Sequence, residues 1–406
     1  MNICFLIHSF STLAGTESYV YHMSIALAKQ GHQVHIISMT GKDRSIFLVQ
    51  EYKIIFHNIN LKANPLTRLF RLERFLPLFI WRYGKSITMV LRNIIENQAI
   101  DIIEATDWGL DAWDYMSERQ VPVCVRLHGY PGFKDEYDKN TLKTWPKKYI
   151  YWRMQRNQIL SADVVTGVSK SYNNFVRMAW NIKEKDIQII PIAIDLNLFH
   201  PGVVPRRNQF VLFVGRLEKS KGIETLSDSI SMILTYAPDI KFYFAGEDHK
   251  CDDNRQTWSQ YLINKHGVNK IIYLGVIQPA ELIKYYQTAI LCVVPSLYEP
   301  GGTVVFEAMA CGCPVIASGV GGLEEVIRDR QTGLLVPPGD ALALASGLTE
   351  LLQNRPLRQN ISQNALRLIR KYFDINIIAR QTADVYVDAI NTFNHKRKTN
   401  NQKNIQ

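Results

Sequence analysis

Short apolar runs alternate with longer segments of helical spacing along most of the chain. Residues 3–8 read as a buried strand, a polar loop SFSTLAGTES follows, 19–30 carry apolar residues at helical spacing, and 33–39 return to strand. Residues 100–105, 121–128 and 164–168 repeat the strand signal. Continuous apolar runs set between helices predict parallel strands joined by crossover helices. After Pro201 a polar stretch, GVVPRRNQ, breaks the pattern. It then restarts, with strands predicted at 210–214, 241–245, 270–274, 290–294 and 315–317. The expectation is an α/β protein of two units with a boundary near residues 200 to 208. A length of 406 residues suits two domains. The polar, basic segment 394–406 is expected to be disordered.

Composition narrows the class. Hydrophobic residues make up 47% and charged residues 21%, the balance of a soluble globular protein. The formal net charge of +10 favours an anionic partner. Positive charge gathers in 42–99, with ten Lys or Arg against four acids. Within it LTRLFRLERFLPLFIWRYGKSITMVLRNII mixes Arg71, Arg74 and Arg82 with large apolar side chains. Such a helix can lie on an anionic membrane surface, or pack an apolar face on a core with its cations in solvent. No recognition motif for nucleic acid accompanies the charge, and none is expected as a partner. The six cysteines show no metal-ligand spacing and sit in apolar contexts, so reduced core thiols are expected. MNICFLIHSF lacks a basic n-region and is interrupted by His8, unlike a signal peptide. The longest apolar run near the basic region, 76–81, is too short to span a bilayer. A cytoplasmic protein is expected, soluble or peripheral on the inner membrane face.

Open α/β sheets bind ligands beyond the carboxyl ends of their strands, and two such sheets make the cleft between them the expected site. The charged residues fall at those ends. After 210–214 comes GRLEKSKGIETL, which places Arg216 and Lys221 on a loop that feeds a helix. Two cations at a helix N-terminus suit a diphosphate, although surface cations on a loop are more often merely solvated. After 290–294 comes PSLYEPGGTVVFEAMACGCPV. Gly301 and Gly302 permit close backbone approach, amides near Thr303 open a helix, and Glu299 is an acceptor for sugar hydroxyls. A capping role is the plainer reading of Glu299. Glu307 sits in an apolar run where an unpaired charge is costly, and it could accept both hydroxyls of a ribose.

The combination VGRLEKSKG, PSLYEPGGTVVFEAMACGCPVIASGVGGLEEVI and TGLLVPPGD resembles the retaining glycosyltransferases of family four, whose fold is GT-B. The Glu-x7-Glu spacing of Glu299 and Glu307 matches that family, as do LAGTESYVYHMSIALAKQGHQVHII, SADVVTGVSKS and PIAIDLNLFHP nearer the N-terminus. The resemblance runs to about residue 390. It implies two Rossmann-like domains facing across a cleft: an acceptor-binding domain over 1–200, a nucleotide-sugar domain over 201–374, and a helix at 375–393 crossing back. It implies that Glu299 holds the donor sugar with Gly301, Gly302 and Thr303, and that Glu307 binds the ribose. Arg216 and Lys221 would neutralise the diphosphate, Gly15 would approach it, and His128 would lie near the reacting carbon. Glu104 and Asp107, in EATDWG, also end a strand and are candidates for meeting the acceptor.

Two positions depart from the family pattern: Ile192-Ala193 replaces the usual Asn-Gly, and Pro300-Gly301-Gly302 replaces Gly-Phe-Gly. No D-x-D occurs, in keeping with chemistry that needs no metal or cofactor. The expected partners are a nucleotide-sugar donor and a glycan or lipid-linked acceptor, with an anionic membrane surface as a further candidate. The expected reaction is sugar transfer in cell-surface polysaccharide or glycolipid synthesis. A GT-B nucleotide-sugar epimerase and a noncatalytic sugar-binding homologue are the alternatives. A dinucleotide enzyme is disfavoured because GVGGLEE is not G-x-G-x-x-G.

Overall fold

The structure is a computed structural model that describes residues 1–8, 15–38, 52, 54–59, 76–129, 145–182, 185–202, 210–251 and 256–403. The chain divides into two compact units. One comprises Met1–Val168, Asn173–Pro191 and Ile375–Gln406; the other comprises Ser169–Tyr172 and Ile192–Asp374.

The first unit is built on β1 (Asn2–Ile7), β2 (Gln33–Ser38), β3 (Ile54–Asn58), β4 (Ile102–Thr106), β5 (Val123–Leu127), β6 (Val164–Gly167) and β7 (Gln188–Ile189). Their order is β3-β2-β1-β4-β5-β6-β7, and every pairing is parallel. The second unit uses β8 (Phe210–Val214), β9 (Lys241–Ala245), β10 (Ile271–Gly275), β11 (Leu291–Val294), β12 (Val315–Ser318) and β13 (Leu334–Val336), ordered β10-β9-β8-β11-β12-β13. Both sheets reverse direction once, between β1 and β4 and between β8 and β11. A reversal opens a crevice at the strand carboxyl ends, because successive crossover helices leave to opposite faces there.

The apolar runs become strands because both faces of a parallel sheet are covered. β8 shows the division: Val211 and Phe213 enter one core cluster, Phe210 and Leu212 the other. All six cysteines are buried free thiols. Three strands escape the periodicity reading. β3 carries His57 and Asn58, β7 has two residues and β13 three, too few to alternate visibly. The first unit ends at Pro191, nine positions before the expected boundary at residue 200.

Helix Leu76–Gln98 covers the later part of the basic stretch. Ile87, Thr88, Leu91 and Ile94 are buried, while Lys85 pairs with Asp114 at 2.9 Å and Arg92 makes a two-pronged pair with Glu118. These two cations therefore serve the fold of their own unit. Arg71, Arg74 and the side chain of Arg82 lie outside the described residues. Among the described residues no helix is long and apolar enough to cross a membrane.

Helix Ile375–Lys403 corrects the expected disorder from residue 394. Its inner face is apolar, with Ile378, Ala379, Ala383 and Tyr386 buried, and the polar residues beyond 394 continue a helix already nucleated by that packing. It joins the first unit: the Gln30 amide donates to Asn376 O at 3.0 Å, and the Tyr386 hydroxyl donates to Glu104.

Candidate active site

In the second unit, the loops after β8 and β11 meet. Leu297 N donates to Ser220 O at 2.9 Å, tying one to the other. Lys221 Nζ then reaches Glu299 Oε2 at 2.6 Å, and the buried Ser296 hydroxyl donates to the same oxygen at 3.2 Å. Arg216 pairs with Glu218 at 3.0 Å, and Ser220 Oγ donates to Glu218 at 2.7 Å. Motif reading overlooked Glu218, whose signal is its place two residues after Arg216. The Arg216 side chain stays 43% exposed, open to an incoming anion.

Glycines brace the β11 loop. Gly302 adopts φ 76°, ψ 51° as the N-cap of helix Thr303–Ala310, and a Cβ there would come within 2.3 Å of Leu323 Cδ2. The cap has no side-chain hydrogen bond, and in the first turn Val305 N donates to Gly302 O at 2.9 Å. Gly321, at φ 56°, lies so close that a Cβ would meet Glu299 O at 2.2 Å, and Gly322 N donates to Glu299 O at 3.0 Å. The glycine-rich GVGG segment is thus a rest for the Glu299 loop. Its residues are small because another backbone occupies the space a side chain would need.

Helix Thr303–Ala310 buries Val305, Phe306, Ala308, Met309 and Ala310 and leaves Glu307 partly exposed. The Glu307 carboxylate accepts from the buried Tyr286 hydroxyl at 2.8 Å. Burial pushes its carboxyl up to about 7, with the tyrosine bond opposing. A carboxylate held this way, with one donor, can still accept further hydroxyls. Tyr286 was also missed; nothing in YYQTAI sets it apart from a core aromatic.

In the first unit, Gly15 is the N-cap of helix Thr16–Lys29 at φ 56°, and no described residue lies within 4 Å of the position of a Cβ. Residues 9–14 before it lie outside the described set. His128 follows β5. Its backbone N–H donates to Asp107 Oδ1 at 3.1 Å, while its ring Nε2 has no hydrogen-bond partner among the described residues. Burial first, then the charge of Arg126, hold the imidazole well below its ordinary range.

The two acceptor candidates turn inward. Asp107 is fully buried; its N–H donates to Arg126 O at 3.1 Å and its carbonyl accepts from Gln155 at 3.1 Å. It staples the ends of β4 and β5. Glu104 is 2% exposed and takes the Tyr386 hydroxyl, and burial pushes its carboxyl up against the opposing pull of Arg126 and Tyr386. Alternation explains the placement of Glu104: residue 104 lies within β4, so its side chain enters the packed layer under the C-terminal helix.

Comparison with known proteins agrees with this arrangement. The profile for Glycosyltransferase Family 4 matches residues 13–198, and that for Glycosyl transferases group 1 matches 198–368. A glycogen synthase of Mycobacterium tuberculosis is 32% identical over 397 residues, covering 93% of this chain and 92% of that one. An uncharacterized glycosyltransferase of Methanocaldococcus jannaschii is 34% identical over 240 residues, 56% of this chain and 60% of its own length. The solved sucrose-phosphate synthase of Thermosynechococcus elongatus superposes with a TM-score of 0.77 at 25% identity, covering 96% of this chain and 99% of that one. With both halves matched and the two reversed parallel sheets in place, the chain belongs to glycosyltransferase family 4, the group 1 glycosyl transferases, and is a glycosyltransferase of GT-B fold.

Proposed function

We propose that this glycosyltransferase moves a sugar from a nucleotide-diphosphate donor to a glycan or lipid-linked acceptor, with retention at the anomeric carbon, in cell-surface polysaccharide or glycolipid synthesis. The observation that carries the reading is the set of charges at the β8/β11 reversal. There Lys221 sits beside Glu299 and Arg216 beside Glu218, and Glu307 stands on the helix that Gly302 caps. In this reading Glu299 accepts hydroxyls of the donor sugar, and Glu307 accepts those of the ribose. Arg216, Lys221 and the amides near Thr303 meet the diphosphate between them.

Breaking the anomeric bond leaves a full negative charge on the departing diphosphate. Fixed cations and amides lower that barrier by meeting charge where it develops. Lys221 is already positioned by Glu299, so little reorganisation is needed at the moment of bond cleavage. The acceptor oxygen attacks on the face the diphosphate leaves, and a phosphate oxygen takes its proton. One glycosidic bond forms as one anomeric C–O bond breaks. His128, which the family resemblance sets near the reacting carbon, has a ring nitrogen without a hydrogen-bond partner among the described residues, which it can direct at the sugar.

A thermal-shift panel tests the donor assignment. UDP, GDP, ADP and NAD are compared at matched concentration on wild type and Glu307→Ala. A ligand that binds only the folded protein raises its melting temperature by mass action. One nucleoside diphosphate should stabilise wild type and have much less effect on the variant. Stabilisation by NAD alone, or by none of the four, would overturn the reading.

A further inference from the structure

His128 does not stand alone at the end of β5. Side chains two apart on a strand share a face, so Cys124, Arg126 and His128 point to the same side of the sheet. Arg126 is 1% exposed. One of its nitrogens, Nη2, donates to Ile190 O at 3.0 Å and Pro191 O at 3.2 Å, while Nε and Nη1 have no hydrogen-bond partner among the described residues. Its guanidinium carbon lies 4.3 Å from the centroid of the Tyr19 ring. That ring in turn stands 4.8 Å from the His128 ring at 61°, an edge-on contact. Tyr19 therefore sits between the guanidinium and the imidazole.

A buried arginine with two donors unmet is costly to keep. Glu104 and the Tyr19 face offset part of that cost. An apolar side chain of similar volume would pack in this layer without any of these demands, so the charge invites a role beyond packing. We propose that Arg126 and Tyr19 are positioning residues for His128, the guanidinium anchoring the tyrosine ring and the tyrosine ring fixing the imidazole orientation at the end of β5. The proposal rests on the transferase reading for its consequence, because a fixed imidazole matters to the reaction only if His128 faces the sugar.

Among the described residues, the charged and titratable groups around the ring come from four elements. Arg126 comes from β5, Glu104 from β4 with Asp107 just beyond it, Tyr19 from helix Thr16–Lys29, and Tyr386 from helix Ile375–Lys403. Among the described residues Arg126 is the near charge on the imidazole, and it disfavours the protonated ring. The arrangement gives His128 one orientation and biases its ring toward the neutral form.

The test is an NMR titration of the full-length chain, 15N-labelled at histidine, from pH 5 to 8, with His128→Asn used to assign the resonance. Wild-type His128 should remain neutral throughout. The paired variant Glu104→Gln/Arg126→Gln removes both buried charges together, so neither is left uncompensated. It should raise the pH at which His128 titrates by about one unit or more. Tyr19→Leu leaves that charge pair in place. It should shift the imidazole proton resonances and lower turnover about tenfold with the donor KM unchanged, a loss of orientation and not of binding. Unchanged titration in the paired variant, or unchanged imidazole resonances in Tyr19→Leu, would overturn the proposal. The titration needs no substrate. If wild type turns over no nucleotide sugar, the transferase reading fails while the positioning of His128 is still decided by the spectra.

Discussion

At the ends of β8 and β11, Arg216 is 43% exposed and Lys221 and Glu299 keep 22% and 14% of their side chains exposed, each cation beside a carboxylate. Within β4 and β5 and just beyond β4, Glu104, Arg126 and Asp107 lie almost wholly inside. The two sheets have the same order around their reversal, so topology does not account for the contrast. Partly exposed pairs contribute little to stability and can exchange partners when a ligand arrives. Buried charges are expensive to disturb and hold geometry instead. One crevice is suited to receive charge, and the other uses charge internally to aim what it presents.

The largest effect should come from the first region. Lys221→Ala should cut turnover about a hundredfold to a thousandfold, the loss typical of removing one donor to a developing oxyanion. Its melting temperature should move by only about 2 °C or less, because the pair with Glu299 is partly solvated. Steady-state assays beside a melting curve would check both halves of that contrast. Glu104→Ala should show the reverse character. It strips Arg126 of its counter-charge and Tyr386 of its acceptor, and about 3 kcal/mol of stability should go with them. A lowered urea midpoint would be the sign. If turnover also collapsed in protein that remained folded, the division between the two regions would be wrong.

A third measurement sharpens the position of Glu307, which belongs to the exposed region but is partly buried. Its carboxyl is raised from 4.5 to about 7, so the folded protein retains a proton there that the unfolded chain gives up. Relative to Glu307→Gln, stability should therefore fall as pH rises from about 4.5 to about 7. Nucleotide binding should follow the opposite course. In the proposed ribose role hydroxyls would donate to the ionised form, so affinity should climb as pH rises toward 7, by up to about tenfold per unit, and flatten above it. Calorimetry across pH on wild type and Glu307→Gln separates this from titration of the nucleotide itself. The smallest expected change is Tyr386→Phe, which deletes one hydroxyl donated to Glu104 and should cost about 1–2 kcal/mol.

Much of the second unit can be read in the linear chain because its chemistry is local. Arg216 and Lys221 share one loop, Glu299 through Glu307 share another, and both loops follow strongly apolar strands whose boundaries the pattern locates closely. What escapes there is the partner from a distant element: Tyr286, twenty-one positions from Glu307, and the GVGG segment that rests on the Glu299 backbone. The first unit is harder. Glu104 and Asp107 look like strand-end acids, and only the strand phase and the C-terminal helix show that they are covered. Arg126 in VCVRL reads as an interruption of an apolar run, and its stacking on Tyr19 spans more than a hundred residues of sequence. Motifs record local neighbours well; burial is a property of the whole layer.

The chain leaves the first unit after Pro191 and gives residues 375–403 back to it. A second unit grafted from a relative would therefore have to be inserted as a cassette between two junctions, near 191 and near 374. A single crossover would import a foreign terminal helix, and Glu104 would face whatever that helix carries where Tyr386 now stands. Recombination between relatives of this architecture should succeed more often when both junctions come from one parent. The terminal helix is inherited with the first half of the molecule, although it is encoded after the second.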